Sequence, residues 1–216
     1  MTIDAKDLNR ALRATLWGAL KAHGFTERTE RVAWRYAGDD IDVVELQAVG
    51  QNAEAVGCPP LSLSAHVAGF PRFLERNDRI QVRNGRPRPH YWHCDPFRRS
   101  MEKTLVQPWF SPFSEPRDNR MSSAFRLHRH ALKRLVNPKV HDRADIWYVR
   151  DDGSNLEENV HDLTAVVLSD GLDLIDQFHD PNRVLELIDD GTLTDSTSPR
   201  AFELRQTIEE YLVRAG

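Results

Sequence analysis

The densest run of chemically versatile side chains in this chain of 216 residues is His90-Tyr91-Trp92-His93-Cys94-Asp95. Two imidazoles, a thiol and a carboxylate are the donor types that zinc accepts. His90, His93 and Cys94 are therefore the metal-ligand set this run offers, with zinc as the cofactor and metal-dependent hydrolysis or nuclease action as the chemistry. Five of the 9 histidines lie between positions 90 and 141, so His128, His130 and His141 stand as distant ligands. The run lacks a Cys-x-x-Cys pair and the helical His-Glu-x-x-His spacing that fixes ligand geometry. The structural alternative is a surface loop anchored by Trp92. Read for nucleophilic chemistry, Cys94 has Arg98 and Arg99 close by to favour its thiolate. Neighbours on an extended segment point to opposite faces, so the base for Cys94 has to come from a remote histidine and not from His93.

Asp40 or Asp42 with Glu45 and Gln47 forms a second acidic group, of the kind that holds a divalent ion in nucleases. Asp42 and Gln47 differ in parity and face opposite sides of a strand, whereas Glu45 and Gln47 share one. A third group is basic. Arg72, Arg76, Arg79, Arg83, Arg86, Arg88, Arg98 and Arg99 are interleaved with Tyr91 and Trp92, so residues 72–99 offer phosphate contacts and stacking surfaces for single-stranded nucleic acid. The chain as a whole is acidic, with a pI of about 6.1, which argues against an obligate nucleic-acid binder. Nine of the 12 prolines lie between Pro59 and Pro116, and Pro108, Pro112 and Pro116 frame Trp109, Phe110 and Phe113. These aromatics, with Arg126, Arg129 and Arg134 on a basic helix expected over 122–135, form the candidate surface for a protein partner. No phosphate-cradling glycine loop, Gly-x-Ser-x-Gly elbow or calcium loop occurs.

The elements that must position these groups follow from periodicity. Leu8, Ala11, Leu12, Thr15, Leu16, Ala19 and Leu20 make one helical stripe, with Asp4 as cap and Gly24 as stop. Val32 to Ala37 and Ile41 to Ala48 flank Gly38-Asp39-Asp40 and read as a hairpin; Leu61 to Ala68 alternates as a third strand. Residues 69–120 read as a Pro/Arg-rich insertion that folds back on the core or lies ready for a partner. Ile146 to Val149 is a further strand, and Ser154-x-x-Glu157 is a capping box opening a helix that ends at Gly171. Asp180-Pro181 and Ser198-Pro199 open two more helices, the last with Leu204, Ile208, Tyr211 and Leu212 on its apolar face. The order implies a single α+β domain over 1–216: an antiparallel sheet of about four or five strands, with an N-terminal helix and C-terminal helices packed on it.

Some of these segments resemble a family. Leu16 to Phe25, ending Leu-Lys-Ala-His-Gly-Phe, with Trp34-Arg35-Tyr36, Glu45-Leu46-Gln47 and Ile146-Trp147-Tyr148, is similar to the bacterial domain of unknown function 4304 family over roughly residues 8–188. Where that family has an asparagine in the third strand, this chain has Ser64 and His66. The resemblance implies the same α+β fold and no particular activity.

Charge is unevenly distributed. Residues 71–150 carry 18 basic and 8 acidic side chains, net +10, and residues 151–216 carry 4 and 16, net −12. These segments can compensate one another or face different partners. Two cysteines suit a reducing compartment, and neither a signal segment nor a run of about 18 apolar residues is present. The expectation is a cytoplasmic, non-catalytic protein-interaction module without membrane contact. Metal-dependent hydrolysis around His90-His93-Cys94 and single-strand binding through the arginines are the alternatives.

Overall fold

The computed structural model describes residues 3–50, 59–73, 79–107, 143–194 and 196–215. The N-terminal stripe folds as α1 (Ala5–Ala14) and α2 (Leu16–Ala22). Asp4 accepts from the backbone N–H of Lys6 and Asp7, and the Asp7 carboxylate accepts from the N–H of Asp4, so the expected cap is a reciprocal box. Leu8, Leu12, Leu16 and Leu20 are fully buried. The expected single helix is interrupted at Thr15, whose φ of −110° and ψ of −77° depart from helical values. Gly24, at φ +87°, lies just past the end of α2, as predicted.

A five-stranded antiparallel sheet follows, in the order β1-β2-β3-β4-β7. Its strands are β1 (Glu27–Arg28), β2 (Val32–Ala37), β3 (Asp40–Ala48), β4 (Leu63–Phe70) and β7 (Arg98–Ser100). The hairpin between β2 and β3 pairs Ala37 with Asp40 and Arg35 with Asp42, and Gly38 supplies the positive φ, +65°, that the two-residue loop needs. In β3, seven consecutive residues from Asp40 to Leu46 are buried, so both faces are covered there.

The insertion is built into this fold. Part of it returns as edge strand β7, and a second small sheet pairs β5 (Gln81–Arg83) with β6 (Arg86–Arg88). Asn84 and Gly85 connect them, both at positive φ. Asn-Gly is the strongest short hairpin signal there is, and the concentration of proline and arginine around it obscures the signal in the sequence. A 3₁₀ turn, Tyr91–Cys94, follows.

Three expectations are corrected downstream. Ile146–Val149 contributes one bridge, Trp147 to Leu63, in place of a strand. The helix after it, α3 (Leu156–Val166), begins beyond Ser154, whose N–H donates to Asp152. It does not end at Gly171: a π-helical turn, Val167–Gly171, carries it into α4 (Leu172–Gln177). Gly171 keeps helical angles (φ −70°, ψ −49°) in place of the left-handed ones that stop a helix. α5 (Pro181–Asp189) and α6 (Pro199–Ala215) start where Asp-Pro and Ser-Pro predict; Asp180 accepts from Asn182 and Ser198 Oγ from Ala201.

The chain groups into two compact units. In the first (1–20, 46–65 and 100–166), Trp147 is fully buried, and its indole N–H donates to Asp162 at 2.7 Å. Asn155 and Asn159 both donate to the Tyr148 carbonyl. In the second (21–45, 66–99 and 167–216), one cluster joins Phe73, Phe97 and Phe178 to Val184, Leu187, Ile188, Leu204 and Ile208. A second cluster joins Val32, Trp34, Ile41 and Val43 to Ile80 and Cys94. Among the described residues, no helix is long and apolar enough to cross a membrane.

Candidate functional site

The His90–Asp95 run folds as a short 3₁₀ turn, held from below by one carboxylate on β3. Glu45 points to the face that also carries Val32, its cross-strand partner. Its Oε2 lies 3.0 Å from His90 Nδ1 and 3.2 Å from the Tyr91 N–H, which donates to it. The rings stack on this base. His66 of β4 lies parallel to Tyr91 at 4.2 Å and 10°, and Trp92 lies parallel to His90 at 4.2 Å and 6°. Tyr91 meets Trp92 edge-on, and the Arg98 guanidinium sits 5.4 Å from the Tyr91 ring. Trp92 is 48% exposed, whereas Tyr91 and His93 are half-buried.

This geometry shows what each proposed ligand does. The backbone N–H of His90 donates to His93 Nδ1 at 2.9 Å, so that nitrogen is occupied as an acceptor. Burial and the nearby His90 lower the His93 pKa below the usual imidazole value. Cys94 is fully buried, and its Sγ lies 3.5 Å from the His90 carbonyl, to which it donates. Burial, then Glu45 and Asp42, push its thiol well above the usual range, the reverse of what a nucleophile or thiolate ligand needs. Among the described residues, no three His, Cys, Asp or Glu side chains converge as a metal set. His128, His130 and His141 lie outside the described residues, as do the partner-surface candidates Trp109, Phe110, Phe113, Arg126, Arg129 and Arg134.

The acidic group divides across the sheet as its parity requires. Asp42, fully buried, faces away from Glu45 and accepts from Arg35 Nε at 2.6 Å. His179, in the turn between α4 and α5, places Nε2 2.8 Å from the second Asp42 oxygen. Arg35 also pairs with Asp176 of α4. The hydrogen bond to Asp42 raises the His179 pKa against the opposing effect of burial. Asp40 accepts from the Arg72 N–H at 2.7 Å. These acids pair with Arg35 and His179 and accept from the Arg72 backbone. The sequence offers no local signal for His179, which meets Asp42 across 137 positions.

Several arginines proposed for nucleic acid are held by the fold. Arg86 and Arg88 both pair with Glu27 and lie over the Tyr36 and Trp34 rings, and Arg72 faces Asp40. The Trp34 indole N–H donates to the Pro89 carbonyl at 2.7 Å and Tyr36 OH to Pro87, which fastens the hairpin strand β6 to β2. No family model, curated protein or solved structure matches the chain.

Proposed function

We propose that the chain is a non-catalytic protein-interaction module. The observation that supports this reading is how the chemically suggestive side chains of the insertion and of β3 are used. Glu45 organises the 3₁₀ turn, Asp42 ties Arg35 and His179 together, and the Cys94 thiol is sealed in the core. Each spends its hydrogen-bonding capacity on shape, and the result is a fixed display of ring and guanidinium groups. The kinship with the domain of unknown function 4304 family belongs to the same proposal. It rests on the short motifs around Gly24, Trp34 and Trp147, and it brings no catalytic residues with it.

Contact with the partner is assigned to the aromatic segment around Trp109, Phe110 and Phe113 and to the basic stretch with Arg126, Arg129 and Arg134. Deleting 107–118, or reversing the charge at those three arginines, should abolish capture of the partner in a pull-down while circular dichroism stays unchanged. Undiminished capture by both variants overturns the assignment.

A further inference from the structure

We propose that the Trp92 surface is a stacking site for the bases of single-stranded nucleic acid. Three features of the second unit support it. The indole is held flat, because His90 lies parallel beneath it at 4.2 Å and 6° and His90 is itself held by Glu45. His90 covers one face, and the residue as a whole stays 48% exposed. A large side chain immobilised before binding loses little entropy on binding, which is what a stacking platform requires.

The second feature is the charge beside it. Three residues along the chain from Trp92, the single carboxylate of Asp95 is shared by two guanidinium groups, Arg98 at 3.3 Å and Arg200. Arg99 follows on β7, exposed like the rest of that strand. Arg98 bridges the two features, since it pairs with Asp95 and also lies over Tyr91, the ring that meets Trp92 edge-on. At Asp95, therefore, two guanidinium groups face one carboxylate.

The third feature concerns what the imidazoles contribute. The His93 ring centroid lies 5.5 Å from that of Trp92, tilted at 45° to it, and the His90 ring stacks parallel to the indole. The surface next to the indole is thus built of aromatic rings. A flat π-face flanked by guanidinium groups matches a ligand that alternates planar uncharged units with anionic ones, the chemistry of a base–phosphate chain. A sugar face has no use for the arginines, and an acidic peptide has no planar unit for the indole in every residue. This inference is independent of the protein-partner reading, which rests on other residues.

The test is fluorescence anisotropy of the full chain with labelled oligothymidylate and oligouridylate of about twelve nucleotides, within the site sizes common for such surfaces. Both should bind at about 50 mM salt and weaken steeply towards 200 mM. Trp92→Ala should weaken binding by about 5- to 150-fold, the loss expected for one base stack, and Trp92→Phe should restore most of it. Arg98→Glu with Arg99→Glu should weaken binding and flatten the salt dependence. Absence of binding at low salt overturns the proposal. So does Trp92→Ala binding as tightly as the parent chain, which means charge attraction alone. Poly-glutamate competing as well as the oligonucleotides assigns the surface to an acidic protein instead.

Discussion

Asp42 shows how one residue can look catalytic and act structurally. Its two oxygens face Arg35 and His179, and it is fully buried, so removing either cation leaves a carboxylate with an unmet demand. His179 gains a partner on folding, and its pKa rises above the ordinary 6.5. Its contribution to stability is therefore complete below that ordinary value and is lost as pH climbs through the raised folded value. His179→Ala should cost about 1–3 kcal/mol at pH 5.5, and less at pH 8.5. The measurement is urea unfolding of both proteins at the two pH values, taken as a difference so that His93, shifted the other way, cancels. A difference that grows with pH would show that the Asp42 bond does not control His179.

At the scale of elements, the close approach of strand to helix turn is set by a missing side chain. A Cβ on Gly69 in β4 would lie 2.8 Å from Phe178 Cδ2 and 3.3 Å from its Cβ. Phe178 is 1% exposed and packs edge-on against Phe97, so the ring has no room to withdraw. Gly69→Ala should destabilise the protein by about 1–3 kcal/mol through overpacking, read as a lower urea midpoint at unchanged slope. Adding Phe178→Leu should then cost less in the Gly69→Ala background than in the parent chain. Additive effects would mean that the two sites do not touch. The elements themselves were largely legible: Asp4, Gly24, Gly38, Asp180-Pro181 and Ser198-Pro199 each act through a backbone requirement of their own residue. Thr15 and Gly171 depart from what their local signals predict, and the residues that flank them, Leu12, Leu16, Val167 and Leu172, are buried.

At the scale of the whole molecule, the charge asymmetry finds a partner that a count by segment does not predict. Arg72, Arg86 and Arg88 of the basic stretch pair with Asp40 and Glu27 of the N-terminal segment. Arg200 of the acidic stretch pairs with Asp95 of the basic one. In this arrangement His90, His93 and Cys94 are held by hydrogen bonds within the fold. Zinc addition and chelator treatment should both leave the thermal midpoint of the full chain unchanged. A ligand that binds only the folded state adds RT ln(1 + L/Kd), where L is its free concentration, to its stability and so raises that midpoint as its concentration rises. An upward shift with zinc that His93→Ala removes would restore the metal reading.

The sequence by itself determined the fold class, the hairpin at Gly38, the helix starts at Asp4, Asp180-Pro181 and Ser198-Pro199, and the opposed faces of Asp42 and Glu45, because capping, turn chemistry and strand parity act over a few residues. Tertiary structure alone decided that His179 reaches Asp42 and that His66 stacks on Tyr91. It also decided that Glu45 holds His90 and that Cys94 is sealed from solvent. Those outcomes depend on which distant segments share a face and on how much water their packing excludes. Neither quantity is written in the spacing of neighbouring residues.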